Sequence, residues 1–301
     1  MPFTLAHAAA ALPLRRILRG NAVFPLLVIG CFIPDIPYFL PEPLASVNAH
    51  RLPGLVAFGV PCGWAIFLLW QMVLLEPSAA LLPRRYADLL LATSSARTGA
   101  TRWWPGTLSL LAGSLSHIVW DSFTHGRGLV VHAWPALAQP IVHVGRYTLP
   151  SYFFLQHIST AIGMLCLALH VRFRLREVAW DRPDATAMPQ LRVHTRITVI
   201  AVLALATTAA LWWTFARDNG PRLSVYNFVC GTISAASVIA MTYALAWHAC
   251  VSFGLVADAG ANASATDQSR PRSARNSGDV GLRELQATEG YGPARRAGPK
   301  C

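Results

Sequence analysis

Gly113-Ser-Leu-Ser-His117-Ile-Val-Trp-Asp121-Ser-Phe-Thr-His125 sets a carboxylate and two imidazoles at four-residue intervals inside an apolar run. An α-helix advances about 100° per residue, so His117, Asp121 and His125 share one face. A carboxylate in the middle of a membrane helix costs about 2.5–3.5 kcal/mol on the insertion scale. Ionisable groups are rare in lipid and by default read as functional there. The rest of the chain decides whether this segment belongs in lipid.

Of the 301 residues, 54% are hydrophobic and 13% charged, where a soluble domain carries about 25% charged. The apolar residues fall in long runs. A spanning helix needs about 20 mostly apolar residues, and six stretches offer them: 22–40, 54–75, 106–124, 151–171, 197–216 and 227–254. The first contains Pro25, Pro34, Pro37 and Asp35, and the third carries the His–Asp–His face. Both must pack against partners that satisfy their polar groups. The expected fold is all-α, a polytopic transmembrane helical bundle of about six spans, occupying an integral membrane domain over 1–256. From 257 the apolar periodicity stops, and 257–301 is expected to be a disordered cytoplasmic tail.

The formal net charge is +11. The cations are nearly all Arg and sit between the apolar runs, which fits membrane topology better than a nucleic-acid groove. Of the 25 Lys and Arg, all but Arg51, Arg127, Arg146, Arg217 and Arg222 lie in the N-terminus, the 76–105 and 172–196 loops and the tail. That alternation fits six spans with both termini cytoplasmic. The expected partner is the lipid bilayer, and no nucleic acid. None of the six Cys forms a Cys-x-x-Cys pair, so neither a disulfide framework nor a thiolate zinc site is suggested.

On this topology Asp35, His50, His117, Asp121, His125, His132, His143 and His157 gather toward the outer leaflet. His170, His194 and His248 fall on the inner side. Imidazole and carboxylate together suit Zn²⁺, and also Mn²⁺ or Fe²⁺. A bound cation would neutralise Asp121 in a low-dielectric site. Helical residues four apart are separated by about 6 Å along the axis and can share an ion; residues eight apart are about 12 Å apart and cannot. Three arrangements follow. His117 and Asp121 form one site, Asp121 bridges two metals, or the helix stops before His125, where Gly126 and Gly128 offer an end. His7 lies in a short apolar run that reaches Pro13 and is followed by Arg15, Arg16 and Arg19. That run is too short to span, so His7 joins the cluster only if it is re-entrant or buried in the bundle.

The opening Met-Pro-Phe-Thr-Leu-Ala-His7, the block Gly30-Cys-Phe-Ile-Pro34-Asp35-Ile-Pro37-Tyr38-Phe39, His50-Arg-Leu-Pro-Gly54 and the Gly113–Gly126 segment together resemble an uncharacterised bacterial membrane family, the domain of unknown function 4184. The resemblance runs from residue 1 to about 255. A more distant likeness is to bacterial inner-membrane proteins named as metal-dependent hydrolases. His7, Pro34-Asp35, His50, Ser116-His117 and Asp121 fall at places matching their motifs, while Pro37 and Tyr38 stand where those proteins carry a second Asp and a His.

The chemistry expected is metal-assisted hydrolysis of a lipid-like or amphiphilic ester or phosphoester. His7, Asp35, His117 and Asp121 would hold a divalent ion, with Zn²⁺ the first choice. His50 or His125 would carry the proton, and Arg51 or Arg127 would pair with a phosphate oxygen. Two other readings stand beside it. One is a transporter or ion-binding protein whose polar face lines a path. The other is a non-catalytic scaffold in which the polar residues only fix helix packing.

Overall fold

Proline decides where the first part of this chain is helical. The computed structural model describes residues 4–40, 44–94, 103–145, 147–181, 191–217 and 225–254. A 3₁₀ segment, Thr4–Ala10, leads into α1 (Ala11–Leu18), whose Pro13 sits in the first turn, where a missing N–H is tolerated. α2 (Phe24–Gly30) carries Pro25 in the same kind of position. An α-helix continued past Gly30 would need the N–H groups of residues 34 and 37, and both are prolines. The chain therefore tightens into a 3₁₀ segment, Ile33–Phe39, with Asp35 N bonded to Phe32 O at 3.0 Å. This corrects the expected first span: 22–40 is not one helix. The break turns Asp35 inward, leaving it 4% exposed.

α3 (Leu52–Leu81) is continuous but has two wide turns of π type, Leu55–Gly59 before Pro61 and Trp70–Leu74 before Pro77. Each lets the helix absorb a residue that cannot donate. Pro77 leaves the carbonyl of Val73 without its i+4 partner, and the His248 ring donates to that oxygen at 2.9 Å. Tyr243 donates to Pro77 O at 3.3 Å. A neighbouring helix thus satisfies backbone that proline freed, as an apolar environment requires.

The remaining elements are α4 (Arg84–Ser94), α5 (Trp103–Thr124), α6 (Leu129–Ala133), a hairpin of β1 (Pro140–Val144) and β2 (Tyr147–Pro150), α7 (Ser151–Asp181), α8 (Val193–Arg217) and α9 (Val225–Ser252). The hairpin pairs Val142 with Leu149 and His143 with Thr148, and turns at Gly145 with φ +59°. It was not anticipated from the sequence, and it leaves the all-helical class intact. Among the described residues four helical stretches are long and apolar enough to cross a membrane: Leu52–Leu81, Ser151–Glu177, Val193–Trp213 and Phe228–Ser252. They correspond to four of the six expected spans. The third expected span lies within α5, an unbroken helix of 22 residues that is too rich in Ser, Gly, His and Asp to rank with them. The tail expected from 257 lies outside the described residues.

The core forms where α2 meets α5 and α3. Val23, Leu26, Ile33, Leu55, Phe67 and Leu110 are buried against one another. α5 offers α2 a face of Gly106, Ser109, Gly113 and His117, spaced three and four apart, with Ser114 beside it. The two backbones approach so closely that a Cβ on Gly113 would stand 2.3 Å from Leu27 O, and one on Gly30 2.4 Å from Leu110 O. Small residues at a helix interface permit this contact, and hydroxyls bridge it. Ser109 accepts from Val23 N at 2.9 Å, and Ser114 donates to Gly30 O at 3.0 Å.

Candidate metal centre

The close α2–α5 contact fixes His117. One turn beyond Ser114 on the same face, its Nδ1 lies 2.7 Å from the Cys31 carbonyl oxygen. A carbonyl only accepts, so Nδ1 carries the hydrogen, and in the neutral ring Nε2 presents a lone pair. This backbone-oriented imidazole is the arrangement that prepares a histidine to bind metal. Nε2 points to Asp35 Oδ1 at 3.6 Å and Asp121 Oδ2 at 3.3 Å. His117 is fully buried, and Nε2 has no hydrogen-bond partner among the described residues.

The two carboxylates are presented differently. The proline-enforced 3₁₀ segment delivers Asp35, and Thr4 donates to its Oδ2 at 2.8 Å, which leaves Oδ1 for the cluster. Asp121 comes one helical turn after His117. Its Oδ2 faces His117 and His50, the latter at 3.7 Å. Its Oδ1 faces His7 Nε2 at 3.4 Å and His125 Nδ1 at 3.5 Å, and is buried without a hydrogen-bond partner. His50 arrives from the turn before α3, closed by Arg51 N to Asn48 O at 3.3 Å, and lies 3.7 Å from Asp35 Oδ1.

His7 reaches the group because the N-terminal 3₁₀ segment packs beside α5 and α7, with His7 and Ala8 buried. Gly163 of α7 allows the approach: a Cβ there would stand 3.0 Å from Ala6 O. The His7 ring stacks on His117, with centroids 3.9 Å apart and planes 20° from parallel.

These separations suit a site that could hold a metal ion. Good N–H···O hydrogen bonds fall at about 2.7–3.2 Å. Two ligands of one tetrahedral ion, each about 2.1 Å from it, stand about 3.4 Å apart. The six imidazole–carboxylate distances run from 3.3 to 3.7 Å. They are long for hydrogen bonds and right for ligands around a cation. Asp35, His50, His117 and Asp121 each offer a ligand atom, and these atoms lie within 4.8 Å of one another. Two carboxylates so close in a buried site repel, and a divalent cation offsets that charge. The donor set fits Zn²⁺ and equally other divalent transition metals.

Of the residues singled out in the sequence, His7, Asp35, His50, His117, Asp121 and His125 come together. α5 ends at Thr124, yet His125 N still bonds Asp121 O at 3.1 Å, so its ring stays on the Asp121 side. His132, His143 and His157 are exposed and form no ion pair or ring contact with the cluster among the described residues; the His157 Nδ1 donates instead to Phe153 O at 2.8 Å. Arg51 and Arg127 are exposed, each close in sequence to a cluster histidine. Sequence reasoning missed Thr4 and the Cys31 carbonyl. The Thr4 signal was a lone hydroxyl three residues before His7; a backbone carbonyl leaves no signal at all.

No curated protein and no solved structure matches the chain, and the expected likeness to metal-dependent hydrolases has no match behind it. A family model matches residues 1–245, which takes in every residue of the cluster, and on that match the chain belongs to the family described as domain of unknown function 4184.

Proposed function

We propose that this protein is a membrane-embedded, metal-dependent hydrolase of an amphiphilic ester or phosphoester. The observation that carries it is the set of imidazole–carboxylate distances around His117 and Asp121, which match ligand separations about a cation. Asp35, His117 and Asp121 hold the ion. Such an ion supplies Lewis acidity toward a substrate oxygen and acidifies water.

A second feature supports the substrate class. A cavity of about 390 Å³ lies between the N-terminal segment, α5 and α7, with walls of Ala6, Pro13, Trp120, Leu155 and Ile158. His7 lines it and also contacts Asp121. An apolar chain in this cavity places a polar linkage beside the cluster. Water attacks the ester carbon or phosphorus, and the bond to the leaving alcohol breaks. His50, with its side chain 28% accessible, takes the proton of the attacking water and returns it to the leaving oxygen. Arg51 and Arg127 supply charge for a phosphate oxygen. The distribution of Arg favours cytoplasmic termini and a site near the outer face, and the resemblance to a bacterial membrane family favours a bacterial inner membrane.

The test uses purified protein in detergent with p-nitrophenyl alkanoates and alkyl p-nitrophenyl phosphates of increasing chain length. Turnover should require divalent metal, rise with chain length, and fall at least ~100-fold in His50→Ala while most metal is retained. Metal bound without hydrolysis of either series overturns the reading. Hydrolysis that survives Asp121→Ala does so equally.

A further inference from the structure

The two oxygens of Asp121 face two different sets of groups. Oδ2 faces His117 and His50, on the side of Asp35. Oδ1 faces His7 Nε2 at 3.4 Å and His125 Nδ1 at 3.5 Å. One ion cannot use all of these atoms. The four whose ligand atoms converge are Asp35, His50, His117 and Asp121, which leaves His7 and His125 outside that group. Yet Oδ1 is buried, and it has no hydrogen-bond donor among the described residues. An anionic oxygen in that position needs a positive partner.

The stacked imidazoles supply the spacing. The His7 and His117 rings are nearly parallel, 3.9 Å apart, and each directs Nε2 at one oxygen of the same carboxylate, at 3.4 and 3.3 Å. Each of those distances fits a ligand pair on one ion. Two ions seated so, one per ring, stand about as far apart as the rings. Ions in two-metal sites, which act together on an attacking and a leaving oxygen, lie about 3.5–4 Å apart.

We infer that the centre is dinuclear: Asp121 bridges two divalent cations, the first held with Asp35 and His117, the second by Asp121 Oδ1, His7 Nε2 and His125 Nδ1. The second site has three protein ligands and a side open toward His125, whose side chain is 32% accessible. An open coordination position distinguishes a catalytic ion from a structural one. The Thr124 hydroxyl stands 3.3 Å from that same His125 Nδ1, a contact that ligation would replace. This inference rests on the metal-dependent reading above and adds a second ion to it.

The test is metal stoichiometry, read without any substrate. Metal-depleted full-length protein in detergent is titrated with Mn²⁺. Free Mn²⁺ is measured by its six-line paramagnetic resonance spectrum, and the bound spectrum is recorded at low temperature. Two equivalents per chain and an exchange-coupled spectrum are expected. His125→Ala should bind one equivalent, with the coupling gone. His7→Ala should do the same, and His125→Ala keeps the test decisive should the buried His7 be needed for folding. One equivalent in the wild type, unchanged in His125→Ala, overturns the dinuclear inference and leaves a one-metal hydrolase standing. Failure to bind Mn²⁺ or Zn²⁺ at all overturns both.

Discussion

α5 and α8 are helices of similar length, 22 and 25 residues, put to opposite uses. Along α5, Gly106, Ser109, Leu110, Gly113, Ser114, His117 and Thr124 are buried. In the most apolar 18-residue window of α8, none is. Both helices carry hydroxyls. Ser109 and Ser114 reach across to α2, whereas Thr207 and Thr208 bond the carbonyls of Leu203 and Ala204 in their own helix. The helix that carries the His–Asp–His face is the one at the centre. In lipid, apolar surface gains little by turning inward, because the surroundings are as apolar as the core. Small residues and polar groups that need partners decide what is inside.

The comparison breaks most sharply at Asp121. Asp121→Ala should lower Zn²⁺ affinity by more than about 100-fold, beyond what loss of a supporting group does. Elemental analysis after dialysis against a weak chelator measures it. Next comes the α2–α5 contact. Gly113→Val puts branched carbon where even a Cβ stands 2.3 Å from Leu27 O. The helices must part, at about 1–3 kcal/mol, and His117 loses the Cys31 carbonyl. The expected outcome is a lower unfolding temperature together with weakened metal binding, since packing and site share one interface. Val202→Leu in α8, 57% exposed, should change neither. A smaller effect is due at Thr4→Val, which removes the hydroxyl on Asp35 Oδ2 and leaves the packing. Zn²⁺ affinity should fall about 10-fold, with the unfolding temperature nearly unmoved.

The same contrast explains what the sequence allowed to be read. The spacing of His117 and Asp121 survives intact because a helix converts four residues into one turn. His117 and His125, two turns apart, face different oxygens of Asp121. The four apolar spans were legible from composition. The first expected span was not, because a hydropathy window counts Pro34 and Pro37 as mildly polar, whereas their effect is to remove two helix hydrogen bonds. His7 was ambiguous for a related reason. Its segment is too short to span, and only its contact with α7 at Gly163 explains how it reaches the interior. A single glycine within an apolar helix was the available clue. Tertiary partners, such as the Cys31 carbonyl under His117, have no trace in a pattern of side chains.

The mildest prediction separates two polar contacts that look alike. Ser114→Ala deletes a hydroxyl that joins α5 to α2, and Thr207→Val deletes one that folds back on α8. Interhelical hydrogen bonds in membrane proteins contribute about 0.6 kcal/mol on average and up to about 1.7 kcal/mol. Ser114→Ala should therefore lower stability by roughly that amount, and His248→Phe, which strands the Val73 carbonyl, by a comparable one. Thr207→Val removes a bond whose carbonyl keeps its own helical partner, so its effect should be close to zero. Reversible unfolding in mixed micelles reads all three. If Thr207→Val proves as damaging as Ser114→Ala, α8 has a partner at that face, and the division between an inward polar helix and an outward apolar one fails. If only Ser114→Ala and His248→Phe register, polar contacts between helices help hold together the half of the chain that carries the His/Asp cluster.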